Sequence, residues 1–394
     1  MAKPQEDFNG KRTVLYVNYR PEVIKGRRKL DGIRRFAGLH GWAVETLENS
    51  AVAVGAIEEA LCAIRPAGVV VDASTQLPLP SPHRFGRVPV VYLDPPKRLP
   101  WRAPCVVVDN AAVVSAAFRE LSAGLPPCYA AVDYFLPRRW ASERIAAFRK
   151  LCSGAGSGCA VFACVSGESD GARARRMALW AERLPLHSAI FAVNDRTAYE
   201  MSDALAAAGR SYPRSVTLVG VDGNVERDTD ISSVRLDFER AGFFAARLLA
   251  SAPPSGGGDA RVLVEPLLVD RRKSTGGHGR RERFVMDAVS IIRAEACGGL
   301  TAVALAARFP CSRKHFDRRF REATGHSVLD EILHVRFETA CSMLLDGEVP
   351  VSAIANFCGF PSYMALRKLF RQRFGMSMTV WRRRHSRGEF LREK

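Results

Sequence analysis

Two runs of residues near the carboxyl end have the types and spacing that nucleic-acid chemistry needs. The first sets Arg313, Lys314, Asp317, Arg318 and Arg321 around Phe316 and Phe320. The second, 50 residues later, sets Tyr363, Met364, Arg367, Lys368 and Arg371 around Leu366 and Phe370. At 3.6 residues per turn each apolar pair falls on one stripe of a helix and the polar residues fall on the other. One stripe packs and the other faces outward. Arginine and lysine on a helix narrow enough for the major groove can donate in pairs to guanine edges or to phosphates. One such helix reads equally well as a solvated basic surface. Here there are two in register, each preceded by a short alanine-rich helix (Val303–Phe309 and Val351–Cys358) and a break at Pro310 or Gly359. That arrangement is what two helix-turn-helix units require. The residues expected to meet DNA are Arg313, Lys314, Asp317, Arg318, Tyr363, Met364, Arg367 and Lys368. Asp317 would accept from a cytosine amino group or orient Arg318.

A second set of chemically able residues lies upstream, at the carboxyl ends of short apolar runs: Asn18, Asp72, Asp94, Asp109, Asn110, Asp133, Asn194, Asp195 and Asp222. Carboxylates and carboxamides can bind vicinal hydroxyls in pairs, so a polyol such as a sugar suits them. Any one of them serves equally as the N-cap of the helix that follows. Their recurrence at strand ends favours a ligand site, because doubly wound sheets bind ligands beyond those ends.

The elements that must carry these residues alternate. Strand-like runs at Val14–Asn18, Val69–Asp72, Val88–Asp94, Cys105–Asp109, Ala130–Asp133, Ala160–Val165, Ala189–Val193 and Val216–Asp222 are separated by amphipathic segments. Examples are Arg27–His40, Ala112–Leu121, Ser142–Leu151, Ala198–Ala208 and Phe238–Ala250. Continuous apolar strands between helices imply parallel sheets covered on both faces. The length exceeds what one such sheet needs, so two doubly wound lobes are expected. The sensor is expected over residues 11–272, a linker over 273–283, and an all-α DNA-binding domain over 284–387.

Of the 394 residues 47% are hydrophobic and 25% charged, which excludes a disordered chain. The net charge is +17, and from residue 281 onward 20 basic residues face 12 acidic ones. The positive charge per residue there is more than double that of the preceding part, as phosphate binding requires. Ten cysteines form no CxxC pair and sit mostly in apolar runs, so they read as reduced thiols of a cytoplasmic protein. Neither a signal-peptide core nor a membrane-length apolar run is present. Gly154, Gly156 and Gly158 stand between a helix and a strand, the reverse of the dinucleotide-binding order, and read as a loop. His187, His315 and His385 lack partners at metal-ligand spacing, so no metal or cofactor is expected.

Leu300 to Arg384 resembles the arabinose-regulator (AraC) family of bacterial transcription factors. Both helix-turn-helix units carry the likeness, with the connecting helix at Arg336–Ala340 and Leu344–Leu345, Ile354–Ala355, Gly359–Phe360 and the closing Gly375–Trp381. Pro310, Val328 and Leu366 depart from the family's usual residues. Phe191–Ala198, Leu218–Asp222 and Arg144 are similar to the periplasmic-binding-protein-like sensor of the lactose/galactose repressor family. With Val108–Asn110, Arg139–Arg144 and Val269–Thr275, nearly the whole chain resembles the bacterial xylose-operon regulator family.

The resemblance implies an α/β two-lobed sensor, with lobe borders near Gly124 and Val225 and a recrossing near Ala252, followed by an all-α tandem helix-turn-helix domain. It also implies a regulator, an activator by preference, that binds operator DNA and answers to a pentose such as xylose. Asp222 would hold ligand hydroxyls, Arg144 would bind them bidentately, Asn194 and Asp195 would be the polar pair beside them, and Asp109 would stand at the hinge side. A homodimer is expected, with RNA polymerase as a further partner of an activator and no membrane. A DNA-binding regulator with a sensor that binds no sugar, and a carbohydrate enzyme with a basic tail, are the alternatives. The second lacks an acid, base or nucleophile constellation.

Overall fold

The structure is a computed structural model that describes residues 12–19, 24–48, 54–74, 78–95, 99–165, 167–223, 230–251, 260–277, 283–346 and 349–385. Its first sheet is built from β1 (Thr13–Asn18), β2 (Ala43–Glu48), β3 (Gly68–Asp72), β4 (Val90–Leu93) and β5 (Cys105–Val108), with α1 (Ile24–Leu39) and α2 (Val54–Ile64) between the early strands. The chain then leaves this lobe. The second lobe takes α3 (Asn110–Ser122), β6 (Tyr129–Val132), α4 (Arg139–Gly154), β7 (Cys159–Phe162), α5 (Asp170–Arg183), β8 (Ser188–Ala192), α6 (Asp195–Ala207), β9 (Val216–Asp222) and β10 (Ser232–Leu236). After β10 the chain returns as α7 (Phe238–Ser251) and β11 (Arg261–Val264), and β12 (Pro266–Asp270) closes the second sheet.

Each sheet has six strands. The first runs β11-β5-β4-β3-β1-β2 and is parallel throughout; the second runs β12-β10-β9-β8-β6-β7 and is parallel except where β12 pairs with β10. Val14, Val70, Val91 and Val106 of the first sheet pack with Phe36 of α1 and Phe243 of α7. Burial on both faces is why these strands read as unbroken apolar runs.

The lobe crossings fall at Val108–Asn110, Leu236–Phe238 and Val264–Pro266, and not near Gly124, Val225 and Ala252 as expected. The reason is packing. Val113, Val114, Ala117 and Leu121 of α3 join the core of the second lobe, while α7, beyond its first residue Phe238, packs on the first. An amphipathic pattern shows that a helix has a buried face, but not which sheet covers it. Val225 and Ala252 lie outside the described residues.

The sequence reading also passed over β2, β10, β11 and β12. The strand β10 is fully buried yet holds Ser232, Ser233 and Arg235, each with a side-chain partner: Ser233 donates to Asp195 at 2.6 Å and Arg235 from Nη2 to Asp270 at 3.0 Å, its Nε being left unpaired among the described residues. Buried polar groups that are paired cost little, and they hide a core strand from an apolar scan. Of the stretch read as a linker, Lys273–Thr275 is anchored to the second lobe, where Ser274 donates to the Leu218 carbonyl at 2.5 Å and accepts from the Ser232 amide at 2.8 Å. Residues 278–282 of that stretch lie outside the described residues.

The remaining chain is helical: α8 (Arg283–Glu295), α9 (Ala302–Ala306), α10 (Arg313–Thr324), α11 (Val328–Asp346), α12 (Val351–Phe357), α13 (Tyr363–Phe374) and α14 (Met378–His385). Two cores flank α11. Val285, Ile292, Leu305, Phe316, Phe320 and Ile332 form one, and Phe337, Leu344, Ile354, Leu366, Phe370 and Trp381 form the other. Among the described residues no helix is long and apolar enough to cross a membrane.

Candidate sensor cleft and nucleic-acid interface

A cavity of about 1080 Å³ lies between the lobes, at the carboxyl ends of strands from both sheets. From the first lobe Asn18, Asp72, Asp94 and the start of α1 line it; from the second come the starts of α4 and α6 and Asp222 at the end of β9. Trp101, Tyr134, Phe135, Trp140 and Phe238 supply aromatic walls. Such rings cover the C–H faces of a polyol while the polar groups take its hydroxyls.

Of the five residues expected at the ligand, the structure brings Arg144, Asn194 and Asp222 to the cavity. Arg144, 3% exposed, donates from Nε to Asn110 Oδ1 at 2.9 Å and from Nη1 to the Val193 carbonyl at 2.7 Å, and it stacks on Trp140 at 4.9 Å. Those hydrogen-bonding partners are neutral. Burial pushes its guanidinium pKa down, with Asp222, Asp94 and Asp195 opposing the shift. Asn194 caps α6, accepting from the Thr197 amide at 2.9 Å. Asp222 has φ +114°, a sparsely populated conformation for a residue with a side chain.

Asp109 and Asp195 are placed otherwise. Asp109 caps α3 at the first lobe crossing, accepting from the Ala111 and Ala112 amides at 3.0 Å, and its neighbour Asn110 lines the cavity instead. Asp195 is 2% exposed behind the cavity wall, where it accepts from Ser233 and fills the space that Gly220 leaves.

The sequence reading missed two lysines on one face of α1. Lys25 Nζ lies 2.6 Å from Asp222 Oδ2, and Lys29 lies 3.0 Å from Asp72 Oδ1 and 2.8 Å from Asp94 Oδ2. Burial would lower the Lys29 pKa, but the two aspartates raise it, so it stays charged; Lys29 in turn holds the buried Asp72 carboxyl below its ordinary range. Their i, i+4 spacing at the amino end of α1 was the available signal.

The second site is the outer face of the helical domain. Ser312 and Ser362 cap α10 and α13, accepting from the His315 and Ala365 amides, and Gly325 and Gly375 end both helices in the left-handed region. Phe316, Phe320, Leu366 and Phe370 are buried, so the opposite stripes face out. Arg313, Lys314, Arg318, Tyr363, Met364, Arg367 and Lys368 are exposed, and Asp317 is half-buried. Within the first stripe Arg313 lies 3.6 Å from Asp317, and Arg318 lies 3.2 Å from His315 Nδ1 and 3.9 Å from Glu322.

Residues 305–384 match the helix-turn-helix domain family, and residues 130–275 match the periplasmic binding protein-like domain family. The xylose operon regulatory protein of Escherichia coli (strain K12) is 27% identical over 294 residues, which span 70% of this chain and 73% of that protein. The chain is homologous to the xylose operon regulators. It is a DNA-binding regulator of the AraC type with a periplasmic-binding-protein-like sensor. Among solved structures, a xylose-binding transcription activator superposes with a TM-score of 0.54 at 22% identity, covering 95% of the regulator and 98% of that chain. The cellobiose complex of another transcriptional regulator superposes with a TM-score of 0.53 at 21% identity, over 67% of the regulator and 85% of that chain. At these identities the superpositions speak for the fold: two parallel-sheet lobes, then, in the first comparison, the helical domain.

Proposed function

We propose that the protein is a sugar-responsive transcription regulator, an activator by preference, whose effector is a small sugar held between the two lobes. A pentose is the first choice, with xylose foremost, because the homologous proteins regulate a xylose operon. The observation that carries the reading is the cleft itself: Arg144, Asn194 and Asp222 from one lobe face Asn18, Lys25 and Asp94 from the other, beside aromatic walls, on a chain that ends in two recognition helices. A fork-shaped guanidinium and a carboxylate at one locus suit adjacent hydroxyls. The cavity is at the upper end of small-molecule sites, so the lobes would close on a monosaccharide about their three crossings.

In this reading the protein works in the cytoplasm as a homodimer, binds operator DNA through α10 and α13, and meets RNA polymerase there. The test is calorimetry with D-xylose, L-arabinose, D-ribose and D-glucose, joined to a DNA-binding titration with and without each sugar. Binding of one sugar with a changed affinity for DNA is the expected result. Binding of none removes the sugar reading and leaves the DNA-binding regulator.

A further inference from the structure

The sensor and the helical domain meet at the hinge, and they meet through buried charge. In the crossing at Leu236–Phe238, Leu236 and Phe238 line the cavity while Asp237, between them, turns away from it. Asp237 takes Arg293 of α8, and Glu239 takes the other amino group of Arg293 at 2.7 Å and Arg35 of α1 at 3.2 Å. One step further along α7, Arg240 lies 2.7 Å from Glu338 of α11. Glu338 also receives His334 at 2.9 Å, and Arg373 of α13 comes within 3.4 Å of His334 Nδ1. Asp237 is 4% exposed and Glu338 5%. A continuous polar path therefore runs from the cavity wall to the helix that joins the two DNA-reading units and on to the second of them.

The cavity end of the path is closely packed. A Cβ at Gly32 of α1 would lie 1.8 Å from the Glu239 carbonyl oxygen, and a Cβ at Gly242 of α7 would lie 1.8 Å from the Lys29 carbonyl oxygen. The two backbones touch, so α1 and α7 move together. At their amino ends the ammonium groups of Lys25 and Lys29 each stand 5.7 Å from the Phe238 ring. Lys25 and Phe238 are cavity residues, Glu239 and Arg240 of α7 hold the helical domain, and Arg35 of α1 is tied to the same Glu239.

We infer that the α1–α7 pair is the transmission element of the regulator: Arg293 and Arg240 dock the DNA-binding domain on the hinge, and lobe movement at the cavity is delivered through them to α11. A buried ion pair has no solvated half-formed state to relax into, because separating the partners strands charge in an apolar surround. A hinge displacement of an ångström or two therefore exchanges one docked arrangement for another instead of stretching the first. The placement of α11 in turn fixes how the two recognition helices are presented to DNA. The inference rests on the sensor reading above for the origin of the lobe movement, and not for the docking.

The test uses the full chain and a variant that neutralises Arg293 together with both of its carboxylates: Asp237→Asn, Glu239→Gln and Arg293→Met, the carboxamide introduced by Glu239→Gln remaining as an acceptor for Arg35. The carboxamide introduced by Asp237→Asn keeps an acceptor for the Arg240 backbone amide, which Asp237 now caps at 3.1 Å. Arg293→Lys is the conservative control. Hydrogen exchange is followed in α8 and α11, without ligand and with D-xylose, L-arabinose or D-ribose, beside calorimetry of the same sugars. Expected without ligand is exchange in α8 and α11 at least about tenfold faster in the triple variant, with partial recovery in Arg293→Lys. With a sugar that binds, the wild type changes its exchange in α11 and the triple variant does not, while its sugar affinity stays within about threefold because the node lies outside the cavity. Equal ligand-free exchange in wild type and variant overturns the docking. Sugar-induced change in α11 that survives in the variant overturns the transmission and leaves the sugar reading standing. If none of the three sugars binds the wild type, the pentose reading fails, and the ligand-free comparison still decides the docking.

Discussion

Lys25 of the first lobe reaches across the cleft and places its ammonium 2.6 Å from the Asp222 carboxylate of the second. The carboxylate proposed to hold ligand hydroxyls thus already bridges the lobes. A polyol entering there must insert between the two charges or share them, which ties occupancy to the lobe angle. Asp222→Asn keeps the side-chain shape and removes the charge. It is expected to lower sugar affinity about tenfold or more, the cost of a lost charge-assisted hydrogen bond, while DNA binding without sugar stays measurable. Calorimetry reads the first quantity and a gel-shift titration the second; unchanged sugar affinity would remove Asp222 from the site.

Arg144 does two jobs that one substitution would confuse. Its Nε and Nη1 satisfy Asn110 and the Val193 carbonyl, so Arg144→Met leaves the buried Val193 acceptor unpaired at about 1 to 3 kcal/mol and frees the half-buried Asn110 acceptor at less cost. Arg144→Lys keeps a charge but not the planar fork. The lysine variant is expected to fold with a modest fall in melting temperature and to lose sugar binding by about tenfold or more. A lysine variant that binds sugar as the wild type does would confine Arg144 to structure.

Gly242 tests the contact between α1 and α7. Gly242→Ala puts a methyl 1.8 Å from the Lys29 carbonyl oxygen, where the neighbour is backbone and cannot turn aside. The helices must part, at about 2 kcal/mol or more. Denaturant unfolding measures this directly, and stability within error of the wild type would show that the helices can slide.

Much of this was legible in the sequence, and the illegible parts share a cause. The recognition helices were readable because Phe316, Phe320, Leu366 and Phe370 mark a buried stripe and the caps at Ser312 and Ser362 are local. The strand-end carboxylates were readable as a set for the same reason. Asp109 takes the local N-cap role that any strand-end carboxylate can fill, met by the Ala111 and Ala112 amides, whereas what Asp195 does depended on Ser233, which arrives from β10. Lys29 looks like any surface lysine until Asp72 and Asp94, from two different strands, enclose it. The same holds for Arg293, whose partners Asp237 and Glu239 lie more than 50 residues away. Periodicity reports that a face is buried; charge pairing across lobes and domains is set by tertiary contact alone.

Acid should loosen the joint between sensor and helical domain. Burial on its own would raise the Glu338 carboxyl, but Arg240, His334 and Arg35 hold it well below the ordinary 4.5. A carboxyl depressed in the folded state contributes stability that is fully present above its unfolded pKa and is lost as pH falls through the folded one. The loss therefore begins below about pH 4.5 and deepens toward the depressed value. Urea unfolding at pH 6, 5, 4 and 3 is expected to show a steeper decline for the wild type than for Glu338→Gln. Parallel declines would mean that Glu338 titrates alike in the folded and unfolded chains.

The two recognition helices are expected to divide the work of binding. On α10, Arg318 lies 3.2 Å from His315 Nδ1, with Glu322 further along the same face, and Arg313 lies near Asp317, so neighbours on the helix can steer these guanidiniums before DNA arrives. Steered donors suit base edges, where geometry decides between sequences. On α13, Tyr363 and Met364 are exposed beside Arg367 and Lys368, an apolar and cationic mixture that suits thymine methyls and phosphates. Arg318→Ala should then relax preference at one base pair of a site selected from random DNA, weakening that site about tenfold while hardly changing binding to scrambled DNA. Lys368→Ala should weaken both DNAs alike and lower the salt slope by about one. Titrations of both variants at several salt concentrations separate the cases. Equal, sequence-independent losses from the two changes would mean that α10 does not read bases through Arg318, and the division between the helices would fall.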